Sequence, residues 1–294
     1  MESLIQCADD RAMNNATPSA LILGGTGRTG SLLAGELTRR GVTSRTASRS
    51  RADVRFDWDD PVTHAEALAD VDRLYLVTPT MRVSYVEQVA AFLDLAQGAG
   101  VRHVTYLSAY NADQAPAGID IAAVEADLAS RRALTHSILR PAWVMQNFAD
   151  EHMPVIDGAI TAPSNGGREA FVDAADIVAV AAETLVDPEA HDHATYSLTG
   201  PQALTFREVA NTIASVSGRP VVHNDIDQEA FLKGAVAAGV PTEFAVMLRW
   251  LTDALITGNG ATPTGDIEKV TGRAATTFRE FAERNAGAWN PEAK

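Results

Sequence analysis

The stretch Leu21-Ile22-Leu23-Gly24-Gly25-Thr26-Gly27-Arg28-Thr29-Gly30 decides the fold of this chain. An apolar run leads into a loop whose glycines at 24, 27 and 30 recur at three-residue spacing. In that order, such glycines permit a tight turn, let the main chain approach a pyrophosphate, and let the next helix pack on the sheet. The N–H groups at the start of that helix would bind the phosphates. The stretch therefore predicts a dinucleotide-binding loop with cofactor contacts at Gly24, Thr26, Gly27, Arg28, Thr29 and Gly30.

The segments on both sides of the loop have the pattern of a β-α-β unit. Residues 19–23 and 42–47 resemble strands, and residues 28–40 have a helical pattern with Leu32, Leu33 and Leu37 on one face. Turns and close helix packing also recruit glycine, so the loop alone does not establish cofactor binding. Its position between a strand and a helix, in a unit of the right length, favours a nucleotide site over a plain turn.

Strand-like and helix-like segments alternate through the first half of the chain. Further strands are predicted at 54–56, 73–78, 103–108 and 135–139, and helices at 61–68, 83–99 and 119–131. Regular alternation predicts an α/β protein with a doubly wound parallel sheet, a Rossmann core, over residues 19–150. Residues 1–18 are predicted to be a disordered leader.

The pattern loosens after Pro141. Helices are predicted at 173–186, 206–217, 231–238, 241–257 and 278–284, and a strand at 195–198. We interpret residues 151–294 as a smaller mixed C-terminal lobe, partly interleaved with the core, that closes over a substrate.

Composition narrows the class of protein and of partner. The 294 residues are 46% hydrophobic, enough for a sizeable core. The net charge of −14 repels a phosphate backbone and predicts no nucleic-acid partner. No window approaches the ~18 apolar residues of a membrane span, and no signal peptide is recognisable, so we expect a cytoplasmic protein without a membrane partner. The single cysteine, Cys7, excludes an intramolecular disulfide, no metal site is expected, and both a monomer and a homodimer stay open.

The end of the second strand indicates which nicotinamide cofactor is used. An enzyme that binds NAD usually has an acidic residue about 20 residues after the first glycine, to hold the ribose hydroxyls. Here that region is Ala47-Ser48-Arg49-Ser50-Arg51, and Ser48 and Arg49 suit a 2′-phosphate. Arg28 could reach the same phosphate. We predict NADPH in preference to NADH; the alternative is that Arg49 and Arg51 are ordinary solvated charges.

Two further segments are candidate cofactor contacts. Asp57 and Trp58 follow the third strand, where the adenine ring is usually flanked. Thr78, Pro79 and Thr80 end the fourth strand, at the sheet edge where ribose and nicotinamide usually lie. For this last segment a simple turn is an equal alternative.

Several motifs resemble the NmrA-like branch of atypical short-chain dehydrogenases/reductases, which includes type 2 quinone oxidoreductases and ergot-alkaloid-type dehydrogenases. They lie at residues 24–30, 56–58, 104–109, 138–148 and 171–177, and Leu139-Arg140-Pro141 with Asn147-Phe148 is the most specific. The resemblance implies an NADPH-dependent oxidoreductase acting on a small molecule. It also leaves an alternative, because some members bind the dinucleotide as non-catalytic redox sensors and contact a protein partner.

The chain lacks the tyrosine–lysine pair of standard short-chain dehydrogenases. The residues four positions after the tyrosines are Pro79, Val89, Tyr110, Gln114 and Gly200. Without a protein acid of this kind, the acceptor must be reactive by itself. An iminium ion or a quinone can accept hydride unaided, so the sequence predicts an NADPH-dependent reductase of a conjugated small molecule, an iminium or imine, or a quinone.

Candidate substrate-pocket residues follow the fourth, fifth and sixth strands: Met81, Ala109, Tyr110, Trp143, Gln146, Asn147 and Phe148. Tyr110 is the candidate catalytic residue, as a hydroxyl donor to the substrate; the alternative is a loop tyrosine without a role. For Trp143 and Phe148 the alternative to flat pocket walls is ordinary packing. Among the histidines, only His152 is considered as a proton donor.

Overall fold

The computed structural model of the protein describes residues 18–150, 152–260 and 262–290. The predicted leader, with Cys7, lies outside the described residues except for Pro18. The helices described are α1 (Gly30–Arg39), α2 (Val62–Ala67), α3 (Val86–Ala99), α4 (Ile121–Ser130), α5 (Ala174–Val186), α6 (Phe206–Ser217), α7 (Gln228–Ala237), α8 (Ala245–Thr257), α9 (Asp266–Thr271) and α10 (Phe278–Arg284). The strands are β1 (Ser19–Leu23), β2 (Thr43–Ser48), β3 (Val54–Arg55), β4 (Arg73–Leu76), β5 (His103–Leu107), β6 (Thr135–Pro141), β7 (Ala159–Ala162), β8 (Arg168–Glu169), β9 (Ala194–Leu198), β10 (Leu204–Thr205) and β11 (Val222–Asp225).

A seven-stranded parallel sheet in the order β3-β2-β1-β4-β5-β6-β9 forms the centre of the fold. Leu21 of β1 lies between Arg45 of β2 and Leu74 of β4. The chain winds outward from β1 to β3 and then returns to the other side of β1 at β4. This confirms the predicted doubly wound sheet, and the reversal between β1 and β4 is where such sheets bind ligands, at the carboxyl ends of the strands.

Both faces of the sheet are covered by helices. Successive strand residues point to opposite faces, so Leu21 and Leu23 pack with α3 and α4 on one side, while Ala20 and Ile22 pack with α1 and α5 on the other. The prediction for Leu32 was wrong, because its side chain is 49% exposed. Leu33 and Leu37 face the core. Successive helix residues are about 100° apart around the axis, so Leu32 faces solvent.

The C-terminal half contributes to this core and also forms a cluster of its own. Strand β9 and helix α5 come from beyond residue 150, so the two predicted parts of the chain share one sheet. The separate cluster is built on Ile160, Phe171, Phe206, Val209, Ile213, Phe278 and Phe281. No helix within the described ranges combines the length and the apolar character that a bilayer crossing requires.

Short elements of the C-terminal half were not predicted from the sequence. Strands β7 and β11 pair in parallel and β8 and β10 pair antiparallel, each with two to four residues. Runs of that length show no measurable periodicity, and helix α9 has only six residues. Helix α7 begins three residues before its predicted start, because the Asp227 carboxylate accepts a hydrogen bond from the Ala230 N–H at 3.1 Å.

Candidate cofactor and substrate site

The glycine loop is folded too tightly for side chains at two of its positions. Gly24 has φ +66°, and the Gly27 N–H donates to its carbonyl oxygen at 2.8 Å. A Cβ on Gly30 would overlap the Gly24 main chain, and one on Gly25 would lie 2.5 Å from the Cβ of Thr46. Glycine is therefore required sterically where the loop meets α1 and β2.

The loop leaves main-chain N–H groups free for a ligand. Within the described ranges, the N–H groups of Thr26, Arg28, Thr29 and Gly30 have no protein acceptor. Helix α1 begins at the last of these residues, so its positive dipole end adds to them. The Tyr75 hydroxyl on β4 donates to Thr29 Oγ1 at 3.1 Å and fixes that side chain below the loop. The arrangement fits the pyrophosphate of a dinucleotide.

The Arg28 side chain points away from the predicted 2′-phosphate position. Its guanidinium pairs with Asp150 at 2.8 Å and donates to Asn147 Oδ1 at 2.7 Å and to His152 Nδ1. These partners follow β6. In the sheet, β6 and β2 lie on opposite sides of β1, so the guanidinium does not lie at the end of β2. Arg28 can therefore contribute to cofactor binding through its N–H, while its charge connects the loop to the C-terminal half.

The end of β2 presents cations that are not paired. Arg49 and Arg51 are exposed, and neither forms a salt bridge with a described residue. The Gly25 N–H donates to Ala47 O at 3.1 Å, which holds the glycine loop against this strand end. Ser48 Oγ donates to Ser50 O and shapes the turn. The geometry leaves Arg49 available for an anionic group beside the loop.

The Trp58 side chain belongs to an aromatic cluster. Its ring contacts the edges of Phe56 and Phe92, each pair with centroids about 5 Å apart, and packs on His64. The Asp57 carboxylate accepts from the Asp59 N–H at 3.1 Å. Trp58 thus supports the turn from inside, and Asp57 keeps acceptor capacity toward the sheet edge.

The turn after β4 forms part of the same edge. Pro79 is buried, whereas Thr80 is exposed. Met81 is 44% exposed and has φ +61°. This left-handed backbone conformation is uncommon for a residue other than glycine and marks a sharp turn. The next residue, Arg82, forms an ion pair with Asp59 at 2.5 Å and ties this turn to the loop after β3.

The candidate pocket residues after β5 and β6 separate into two groups. Ala109, Tyr110 and Trp143 are half-buried at the carboxyl edge, and the Tyr110 N–H donates to Pro141 O at 2.9 Å. Gln146 instead bridges to helix α5, with its amide donating to Asp173 at 2.9 Å and accepting from the Ala174 N–H at 3.0 Å.

The side chains of Asn147 and Phe148, both predicted to line the pocket, are held by contacts within the protein. The Asn147 side chain accepts from Arg28. Phe148 is 1% exposed, and its ring is enclosed by the edges of Phe171, Phe206 and Phe278 at centroid distances of 5.1 to 5.7 Å. Phe148 therefore stabilises the C-terminal cluster and is not a pocket wall, because aromatic rings from distant parts of the chain converge on it.

Comparison with known proteins identifies the family. Residues 17–284 match the model of the NmrA-like family. The chain belongs to the NmrA-like family. An uncharacterised oxidoreductase, YesF of Bacillus subtilis, is 33% identical over 278 residues, covering 92% of this chain and 96% of YesF. An NAD(P)H azoreductase of Xenophilus azovorans is 30% identical over 283 residues, covering 92% and 98% of the two chains.

A solved structure leads to the same enzyme class. The triphenylmethane reductase of Citrobacter, complexed with NADP(H), superposes with a TM-score of 0.70 at 25% identity, covering 91% of this chain and 99% of that one. With the glycine-loop geometry, these relatives make this NmrA-like protein an NAD(P)H-dependent oxidoreductase. The predicted family, fold and cofactor class are thus confirmed.

This NmrA-like oxidoreductase contains a buried carboxyl group that sequence reasoning missed. Glu169 is 2% exposed, and no side chain in the described part of the chain forms a hydrogen bond or an ion pair with its carboxyl group. Burial raises the pKa of Glu169 to about 8, although the N–H groups of Trp143 and Ala170 oppose the rise. A Cβ on Gly260 would overlap its carboxyl group, so the loop after α8 closes over it.

Glu169 acts electrostatically on the candidate catalytic tyrosine. The pKa of Tyr110 is raised by burial first and by the charge of Glu169 second. Glu169 lies in a two-residue strand and belongs to no recognisable motif, so its sequence context gave no signal. The carboxyl group, Tyr110 and Trp143 lie together beside the carboxyl edge of the sheet.

Proposed function

We propose that this oxidoreductase transfers a hydride from NADPH to a conjugated, electron-poor small molecule, preferably an iminium ion, without a tyrosine–lysine acid. The absence of lysine from the site carries the proposal. The lysines of the described ranges, Lys233 and Lys269, lie in α7 and α9 and not at the carboxyl edge. A keto substrate would need protonation of its developing alkoxide, whereas an iminium carbon becomes a neutral amine on accepting hydride.

NADPH would be held by the free main-chain N–H groups of the glycine loop and by residues at the ends of β2, β3 and β4. The N–H groups of Thr26, Arg28, Thr29 and Gly30 would bind the pyrophosphate, and Gly24 and Gly27 would let it approach. Ser48 and Arg49 would bind the 2′-phosphate. Asp57, with Trp58 behind it, would flank the adenine, and Thr78, Pro79 and Thr80 would hold the ribose and nicotinamide. NADPH supplies the hydride when bound.

The buried carboxyl group favours a cationic acceptor over a neutral quinone. A cation close to Glu169 would stabilise its ionised form and offset the unfavourable burial of a carboxyl group that has no side-chain partner among the described residues. A quinone offers no such compensation. The Citrobacter relative is described as acting in the bioremediation of triphenylmethane dyes, which agrees with a conjugated acceptor.

The remaining pocket residues would orient the acceptor and exclude water. Met81, Ala109 and Trp143 offer apolar surface at the sheet edge, and Tyr110 offers a hydroxyl group. Helix α8 packs its Met247, Trp250 and Leu251 on the core beside this edge and so covers it. Positioning the acceptor carbon about 3–3.5 Å from the nicotinamide is the main catalytic contribution expected of such a pocket.

The proposal is tested by following NADPH oxidation with cyclic iminium ions and quinones, with NADPH binding measured in the same sample. Turnover of the iminium ions supports it, and turnover of quinones alone contradicts the preferred acceptor class. In Glu169→Gln the KM for an iminium ion should rise while the KM for a quinone stays the same. NADPH binding without turnover across the panel would oppose the proposal and favour a redox sensor.

A further inference from the structure

Three side chains that can bind a metal meet at the edge of the sheet opposite the glycine loop. His136 lies at the start of β6, and Asp192 and His193 lie in the turn before β9. Because β6 and β9 are neighbours, with Ser137 opposite Ala194, the turn lies beside the start of β6. One potential ligand atom from each of the three lies within 4.8 Å of the other two.

The three groups are held in place by contacts of their own. The Asp192 carboxylate accepts a hydrogen bond from the His136 main-chain N–H at 3.1 Å through Oδ1. Its other oxygen, Oδ2, lies 3.6 Å from His193 Nε2. The two imidazole rings are 4.6 Å apart and nearly perpendicular. Ligands of a tetrahedral zinc ion with bonds of about 2.0–2.2 Å are separated by roughly 3.3–3.6 Å, so small side-chain movements would complete the site.

The burial of the groups differs in a way that suits a metal site. His136 is 3% exposed, and its Nδ1 has no hydrogen-bond partner among the described residues. The side chains of Asp192 and His193 are 30% and 61% exposed. An ordinary surface ion pair between these two would leave the buried imidazole unsatisfied. A cation entering from solvent would engage all three.

Two neighbouring histidines, His191 and His103, form hydrogen bonds of their own. His191 Nδ1 is hydrogen-bonded to the Tyr196 hydroxyl at 2.7 Å. His103 is bonded to Thr135 at 2.9 Å and to Thr105 at 3.3 Å. The available set is therefore two imidazoles and one carboxylate, with the remaining coordination position open to water.

We propose that His136, Asp192 and His193 form a binding site for Zn²⁺ or a similar divalent transition-metal ion. Two imidazoles select such ions over Mg²⁺ and Ca²⁺, which prefer oxygen ligands. The site lies at the amino ends of the strands, away from the cofactor edge, so its effect is structural. The metal would tie the start of β6 to the turn before β9. This site differs from the expectation of no metal site, because Asp192 and His193 lie more than fifty residues after His136 in the sequence and no local spacing relates them.

The proposal is tested by calorimetric titration of untagged, chelator-treated protein with Zn²⁺. We expect saturable binding of one ion, with affinity reduced at least ~10-fold in His193→Asn and in Asp192→Asn. Glu189→Gln, which removes an exposed carboxylate of the same turn region outside the cluster, should bind Zn²⁺ as the unaltered protein does. Circular dichroism and NADPH binding would verify the fold of each variant.

A second measurement separates this site from non-specific binding. Zn²⁺ should raise the melting temperature of the unaltered protein and of Glu189→Gln, but not of His193→Asn, and Mg²⁺ should raise none. Absence of saturable Zn²⁺ binding would overturn the proposal. Equal affinity in His193→Asn, Asp192→Asn and the unaltered protein would overturn it too, as would equally tight binding of Mg²⁺.

Discussion

Arg28 Nη1 donates a hydrogen bond to Asn147 Oδ1 at 2.7 Å, although 119 residues separate the two in the chain. The same guanidinium pairs with Asp150 at 2.8 Å. The loop that would bind the cofactor is thus fastened to the segment that follows β6. We therefore expect cofactor binding and the position of that segment to be coupled through Arg28.

Replacing Arg28 should weaken the connection between the glycine loop and the segment after β6. Arg28→Ala removes charge-assisted hydrogen bonds that are about one-third exposed, so we expect a loss of about 1 kcal/mol and a melting temperature roughly 2–4 °C lower. Arg28→Lys should recover part of the loss. Thermal unfolding with and without NADPH would measure it, and a melting temperature equal to that of the unaltered protein would contradict the fastening role.

The glycine loop provides a steric test. Gly30→Ala places a Cβ into the Gly24 main chain and should abolish measurable NADPH binding. Gly35→Ala is the matched control in the same helix, because no atom lies within 4 Å of its Cβ position. That control should bind NADPH normally and gain up to ~1 kcal/mol of stability from helix propensity. Isothermal titration of both variants would decide, and normal binding by Gly30→Ala would contradict the loop assignment.

Cofactor preference should depend on Arg49. Arg49→Glu reverses an exposed charge that forms no salt bridge with a described residue, so NADPH affinity should fall roughly 10- to 100-fold while NADH affinity changes little. Arg207→Glu is the control, since Arg207 is likewise exposed but lies on α6. Dissociation constants for both cofactors would be compared. If the ratio of the NADPH and NADH dissociation constants were unchanged in Arg49→Glu, Arg49 would be an ordinary solvated charge.

Tyr110 is the candidate hydroxyl donor to the acceptor. Tyr110→Phe should lower kcat by ~10-fold, the value of one hydrogen bond, and leave the dissociation constant of NADPH unchanged. Steady-state kinetics and cofactor titration on the same preparation would separate the two effects. Unchanged turnover would show that the hydroxyl group has no part in the reaction.

Glu169 should make stability depend on pH. Its pKa is about 8 in the folded protein against an ordinary 4.5, so below pH 4.5 both the folded and the unfolded chain hold the proton. Between these values the unfolded chain ionises first, so the free energy of unfolding falls as pH rises and levels off above pH 8. Glu169→Gln should remove this fall, on the order of a few kcal/mol. Urea unfolding at pH 5 and pH 9 would measure it, and parallel curves for variant and unaltered protein would exclude the raised pKa.

The sequence by itself determined the fold class, an α/β protein with a doubly wound parallel sheet, and the glycine loop. These features rest on local physics: the period of apolar residues distinguishes strands from helices, and the steric demands of a tight turn are met only by glycine. Gly30, for example, is needed for contacts with residues a few positions away.

Only the tertiary structure decided what the side chains do. It gave Arg28 its partners, enclosed Phe148 among rings up to 130 residues away, buried Glu169 without a side-chain partner among the described residues and brought His136 close to His193. Each of these depends on which distant segments pack together, and a burial energy or a raised pKa exists only once they have done so. The local pattern of a chain carries no record of those long-range contacts.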